Sequence, residues 1–238
     1  MQPTIVLVHG AFADSSGWDA VIDQLLDAGH PVVAAPNPLR RIATDAATVA
    51  DVVRAVGGPV VLAAHSYGGA VISNVRADAG DIVGLVYVNG FAPEPGETCF
   101  ALAGKFPGSM LGEATLRPVP RSDGTTDLFI KVDSFHEVFC PDLSDQQAAR
   151  MAATQRPATQ EALVEPSGEK SLWKELPSWF LIGEEDRVIP PALQHYMAER
   201  AEAQRVIEIP GASHAALVSQ PDATAQLILE AAASLVAA

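Results

Sequence analysis

Ser66, Asp186 and His214 each fall in a loop directly after an apolar, strand-like run, and their side chains are the three that acyl transfer through a serine requires. A serine hydroxyl is a weak nucleophile near neutral pH, so it needs a base to take its proton and an acid to orient that base. Ser66 stands where Val60-Val61-Leu62-Ala63-Ala64 runs into His65-Ser66-Tyr67, followed by Gly68-Gly69 and a helical apolar spacing at Val71, Ile72 and Val75. That order is a strand, a tight turn and a helix, with Ser66 at the apex. The two backbones nearly touch at such a turn, so small residues are needed two places either side, and Ala64 and Gly68 supply them. The helix N-terminus then points its unpaired N–H groups at any negative charge developing beside the serine.

The base is assigned to His214, the only histidine in a loop directly after a late strand, here Pro210-Gly211-Ala212-Ser213-His214 following Val206–Ile209. For the acid, Glu184, Glu185 and Asp186 are adjacent in the loop after Trp179–Ile182. Asp186 is favoured for its shorter reach and its place before the turn into Val188-Ile189-Pro190, with the two glutamates solvated. Two N–H donors are needed for the oxyanion. The amide of Tyr67 is one, and the amide of Ala11 the other, since Gly10 lets the loop His9-Gly10-Ala11-Phe12 approach closely. His9 is read as structural, its ring bridging loop backbones, and His30, His65, His136 and His195 are read as structural too. No histidine pair has metal-ligand spacing, so no metal is expected, and the chemistry needs no cofactor. The substrate-binding candidates are Phe12, Phe106, Met110, Phe135 and Phe139, with Phe91 beside them, some of which must instead pack a cap onto the core.

The elements that position these residues alternate. Thr4–Val8 is a continuous apolar strand of the kind buried on both faces of a parallel sheet. A helix capped by Ser16 follows, with Trp18, Val21, Ile22, Leu25 and Leu26 facing the core and Gly29 ending it. Then come a strand over Pro31–Ala35, a helix over Asp45–Val56, the strand–serine–helix turn, and a strand over Ile82–Val88. Beyond about Ala92 the periodicity is lost among prolines and glycines, except for a helix from Ser144, where Ser144-x-x-Gln147 reads as a capping box, to about Thr154. Alternation resumes with Trp179–Ile182, a helix over Pro191–Ala201, the strand Val206–Ile209 and a last helix from Pro221. This pattern indicates an α/β fold, a doubly wound and mostly parallel sheet with helices on both faces. Residues 1–91 and 176–238 form the core, and 92–175 an inserted cap or lid over the carboxyl edge of the sheet, where ligands bind.

At 238 residues the chain suits one domain with an insertion. With 15 basic and 29 acidic residues, the net charge of −14 argues against nucleic acid or an anionic membrane as partner. No apolar run approaches the length of a membrane span, and Met1-Gln2-Pro3-Thr4 leads into a strand with no basic leader region. Cys99 and Cys140 fit free thiols in a reducing cytoplasm. A homodimer is compatible with the sequence.

His9-Gly10-Ala11, Ala64-His65-Ser66-Tyr67-Gly68-Gly69, Glu185-Asp186-Arg187-Val188-Ile189-Pro190 and Gly211-Ala212-Ser213-His214 together resemble the α/β-hydrolase superfamily, whose nucleophile elbow is written G-x-S-x-G; Ala64 replaces the first glycine. The layout is similar to the branch of plant methyl-ester esterases, hydroxynitrile lyases and their bacterial esterase relatives, which shares the His-Gly-Ala with a tryptophan soon after (Trp18) and the Glu-Asp-x-x-Ile-Pro. The resemblance implies a serine esterase acting on a small-molecule ester, lactone or thioester, with Ser66 as nucleophile, Asp186 as acid, His214 as base and Ala11 and Tyr67 as oxyanion donors. The lyases carry a threonine at the place of Gly10 and a lysine directly after the histidine, where this chain has Ala215, so hydrolysis is favoured over lyase chemistry. Ser66 excludes the relatives with an aspartate at the elbow. A ligand receptor with little turnover, or C–C hydrolysis on the same triad, are the competing readings.

Overall fold

The computed structural model describes residues 2–236. Six strands form one parallel sheet: β1 (Thr4–Val8), β2 (Val32–Ala35), β3 (Val60–His65), β4 (Ile82–Val88), then β8 (Ser178–Gly183) and β9 (Arg205–Ile209) after an insertion, in the order β2-β1-β3-β4-β8-β9. Side chains alternate across a strand, so these near-continuous apolar runs feed two cores at once. Val6, Val8, Leu62, Ala64, Leu85, Tyr87 and Phe180 face one core. Ile5, Leu7, Val61, Ala63, Val86, Val88, Trp179 and Leu181 face the other. The first core is covered by α2 (Ile42–Val56), α3 (Tyr67–Ser73) and α8 (Pro191–Arg200). The second is covered by α1 (Asp19–Asp27), the short α9 (Ala216–Ser219) and α10 (Pro221–Val236), with Trp18 wholly buried. The doubly wound arrangement expected from the alternation is the one observed. The chain reverses its winding between β1 and β3, which puts a crevice at their carboxyl ends.

Between β4 and β8 the chain builds a cap of α4 (Cys99–Ala103), β5 (Leu116–Pro120), β6 (Thr126–Ile130), α5 (Val132–Phe139), α6 (Asp145–Thr154), β7 (Ala158–Thr159) and α7 (Gln160–Val164). Its strands form a small antiparallel sheet in the order β5-β6-β7. The helix expected after Ser144 is present, and Ser144 and Gln147 make the reciprocal capping box. Hydrogen bonds join the cap to the loops at the carboxyl end of the large sheet. Phe12 N donates to Arg156 O at 2.9 Å, Met110 N to Arg187 O at 2.7 Å, and Ser213 N to the Asp142 carboxylate at 3.1 Å.

Two helix starts differ from expectation. Asp14, not Ser16, caps the turn before α1: its side chain accepts from Ser16 N, and residues 15–18 form a 3-10 turn first. Leu26 is half exposed rather than on the buried face. The second helix begins at Ile42 rather than Asp45, because Asp45 is buried inside its first turn instead of capping it. Among the described residues no helix is long and apolar enough to cross a membrane, and both cysteines are free and buried.

Candidate active site

β3 ends at His65 and α3 begins at Tyr67, so the reversal is completed by Ser66 alone, at φ 56° and ψ −125°. A non-glycine residue in that region is strained by about 1–3 kcal/mol and must be held by its surroundings. Ser66 O accepts from Gly69 N at 2.9 Å and from Phe91 N at 3.1 Å, and Ser66 N donates to Val88 O at 3.3 Å. The loop after β1 presses against the same point. A Cβ on Gly10 would lie 2.5 Å from Ser66 Cβ, and one on Gly68 2.6 Å from Val8 O. Only glycine lets these backbones meet, so the loop carrying Ala11 lies directly against the serine. The Ala11 and Tyr67 amides have no protein acceptor among the described residues.

Ser66 Oγ lies 2.9 Å from His214 Nε2, and His214 Nδ1 lies 2.8 Å from Asp186 Oδ2. A carboxylate only accepts, so Nδ1 carries the proton and Nε2 is left to accept from the hydroxyl. His214 and Asp186 are closed off from solvent, and Ser66 is only 4% exposed. Asp186 accepts four bonds: Val188 N and Ile189 N at 2.8 Å on Oδ1, and Gln194 Nε2 and His214 Nδ1, each at 2.8 Å, on Oδ2. The neighbouring glutamates are solvated, and Glu184 turns away to accept Gly211 N at 3.0 Å. The three side chains singled out by spacing thus converge although far apart in the chain.

Two residues that sequence reasoning passed over hold this arrangement. Asn89, at φ 44° just past β4, donates from Nδ2 to Ser213 O and His214 O at 2.7 and 3.0 Å. Its Oδ1 accepts Gly183 N at 2.7 Å, so one amide joins the acid strand to the base loop. Gln194 on α8 clamps the acid. A polar residue closing a wholly apolar strand, as Asn89 does, was the available signal. His65 is structural, as expected: its Nε2 donates to His214 O at 2.8 Å. Burial, and then the adjacent His214 ring, push its pKa well below the usual imidazole value. His9 bonds Gly10 O through Nδ1 and is likewise lowered, chiefly by burial.

The aromatic candidates separate into three places. Phe139 meets the His214 ring edge-on at 4.9 Å with Phe135 stacked on it, both fully buried. Phe91 and Phe106 line an apolar groove of about 290 Å³ with Cys99, Leu111, Leu116 and Leu163. Met110 lies outside that lining but ties its wall to the acid loop through the bond to Arg187 O. Phe12, at φ 60°, lines a separate cavity of about 190 Å³ with Arg150, Met151 and Val218.

Comparison with known proteins agrees with this fold. The chain is 29% identical over 245 residues to the pyrethroid hydrolase of Sphingobium wenxiniae, covering 95% of this chain and 86% of that protein. Its fold is similar to that of polyneuridine aldehyde esterase, with a TM-score of 0.80 at 20% identity, over 97% of this chain and 99% of that one. It is also similar to the Arabidopsis methylesterase MES16, with a TM-score of 0.79 at 15% identity, over 97% or more of both chains (98% of this one, 100% of that one). A family model described as the alpha/beta hydrolase family matches residues 5–227, which takes in the elbow, the acid loop and the base loop. On that match, and on the sheet that carries it, the chain belongs to the alpha/beta hydrolase family.

Proposed function

We propose that the protein hydrolyses an uncharged carboxylic ester by way of an acyl-enzyme, with Ser66 as nucleophile, His214 as base and Asp186 as the acid that orients it. The observation that carries this reading is the unbroken line from Ser66 Oγ through the imidazole to a carboxylate held by four donors. In the first half, Ser66 Oγ attacks the carbonyl carbon while His214 Nε2 takes its proton. The carbonyl oxygen becomes an oxyanion facing the unengaged Ala11 and Tyr67 amides. His214 then returns the proton to the departing alcohol, and water repeats the sequence on the acyl group. Each amide supplies roughly 3 kcal/mol to the charged intermediate. Ala215, not a basic residue, follows His214 and is buried, so no ammonium is at hand for a leaving anion.

The apolar arm of the ester is assigned to the groove of Phe91, Phe106 and Leu163. Phe91 N bonds the carbonyl of Ser66 itself, and residues 109 and 110 bond Val188 O and Arg187 O beside the acid, so the wall of the groove is fastened to the elbow and to the acid loop. No charged side chain lines it. Incubation with a fluorophosphonate and with a panel of aryl esters tests the reading. Wild type should label and turn over, and Ser66→Ala should do neither, losing on the order of 10⁶ in kcat if the three groups act as a unit. More than a few per cent of residual turnover in that variant would sink the assignment, and labelling without turnover would favour a ligand receptor.

A further inference from the structure

Tyr67 carries the amide beside Ser66, yet its side chain leaves the elbow for a different neighbourhood. The ring is 1% exposed and its hydroxyl donates to Asp45 Oδ2 at 2.9 Å. Asp45 is itself wholly buried in the first turn of α2. Its carboxylate also accepts Arg40 N, at 3.0 Å to Oδ2 and 3.3 Å to Oδ1, and Thr44 Oγ1 at 3.4 Å. Among the described residues no Lys or Arg side chain pairs with it. Burial pushes the Asp45 pKa above the ordinary carboxylate range, and burial and the adjacent Asp45 push the Tyr67 phenol up as well. As filler this arrangement is poor, since a buried carboxyl costs more than a hydrocarbon of the same size. What it gives is direction: a ring tethered at its far end cannot turn, and the Cα at its near end cannot drift.

Arg40 is in turn fixed to the cap. Thr159 Oγ1 donates to Arg40 O at 2.5 Å, Thr159 N to Leu39 O at 3.0 Å, and Arg40 Nη1 pairs with Asp127 Oδ1 at 2.5 Å. The cap strands β6 and β7 therefore reach the elbow through three links: Leu39–Arg40, the Asp45 carboxylate and the Tyr67 phenol.

We propose that Asp45 is a positioning residue for the reaction: through the Tyr67 phenol it fixes the amide next to Ser66, and through Arg40 N it ties that amide to the seating of the cap. The inference rests on the reading of Ser66 as nucleophile and of the Tyr67 amide as an oxyanion donor. Donors of this kind act only when held within about 0.5 Å of their place, and the strained φ of Ser66 supplies no such hold by itself.

The test compares wild type, Tyr67→Phe, Asp45→Asn and the double variant on p-nitrophenyl acetate, an ester too small to need the groove, alongside the rate of fluorophosphonate labelling. Tyr67→Phe keeps the ring and the amide and removes only the tether. Its kcat should fall about tenfold with KM within about twofold of wild type, and labelling should slow in parallel, because phosphonylation places an oxygen at the same amides. Asp45→Asn should move the same quantities in the same direction, and the double variant should be no worse than the worse single one, since both break one link. Should Asp45→Asn not fold, Tyr67→Phe decides alone. The proposal is overturned by a Tyr67→Phe enzyme with wild-type kcat and labelling rate, by a loss carried in KM only, or by losses that multiply in the double variant. A wild-type protein that neither labels nor turns over overturns the hydrolase reading instead, so the two failures are distinguishable.

Discussion

Both oxygens of Asp186 are committed twice, which leaves the carboxylate no freedom to rotate away from His214. This separates it from Glu184 and Glu185 more sharply than chain position does: both glutamates are exposed, and Glu184 accepts Gly211 N instead. On the other side of the imidazole, the closeness of Gly10 to Ser66 allows a direct check. Gly10→Ala puts a methyl group 2.5 Å from Ser66 Cβ and 2.9 Å from His65 O, both in rigid parts of the elbow. Overpacking of this kind costs about 1–3 kcal/mol. Because relief must come from the loop that carries Ala11, kcat should fall as well. Thermal melting with ester turnover measures both, and a variant unchanged in either would mean that the loop yields freely. Ser66, Asp186 and His214 were legible because their chemistry restricts the residue types and their loops follow obvious strands. Asn89 and Gln194 were less so: a single asparagine after the apolar β4 marks the first, and a buried glutamine on α8 that holds the acid loop leaves no spacing pattern behind.

At the scale of elements, the parallel strands were legible because burial on both faces leaves uninterrupted apolar runs, as in β1, β3 and β4. The cap was not, and the reason is visible in β5. Its Leu-Arg-Pro-Val-Pro contains two prolines, which a strand tolerates only where their missing N–H is not needed, and β5 is an edge strand of the small sheet. The helices α4 and α7 have five residues each, too short to display a 3.6-residue period. The groove built from these pieces is where element geometry meets substrate choice. Leu163, on α7, faces it from the cap and takes no part in the triad. Leu163→Trp should fill much of the space, raising KM for naphthyl or long-chain esters about tenfold or more while leaving p-nitrophenyl acetate within about twofold of wild type. Equal effects on large and small esters would place the apolar arm elsewhere.

For the whole molecule, acid stability is the property that the buried histidines govern. His65 and His9 are held below the ordinary imidazole pKa, chiefly by burial, so the fold keeps both neutral while the unfolded chain takes up protons near pH 6.5. A depressed pKa contributes stability that is complete above the unfolded value and is lost as pH falls toward the folded one. Below pH 6.5 each should therefore cost about 1.4 kcal/mol per pH unit at the steepest. Asp45, raised by burial, works in the opposite sense: its contribution is lost as pH rises from 3.8 through its folded value. Urea melts between pH 7 and pH 5 should show the loss, and His65→Gln, which can still donate to His214 O, should flatten it; an unaltered slope would assign the effect to other groups. The cap bonds described above reach the loops after β1, β8 and β9, at Phe12, at Arg187 and Val188, and at Ser213. Transplanting a different insertion onto this sheet would carry over Ser66, Asp186 and His214 and discard bonds that hold the loops around them, so the cap takes part in holding the site.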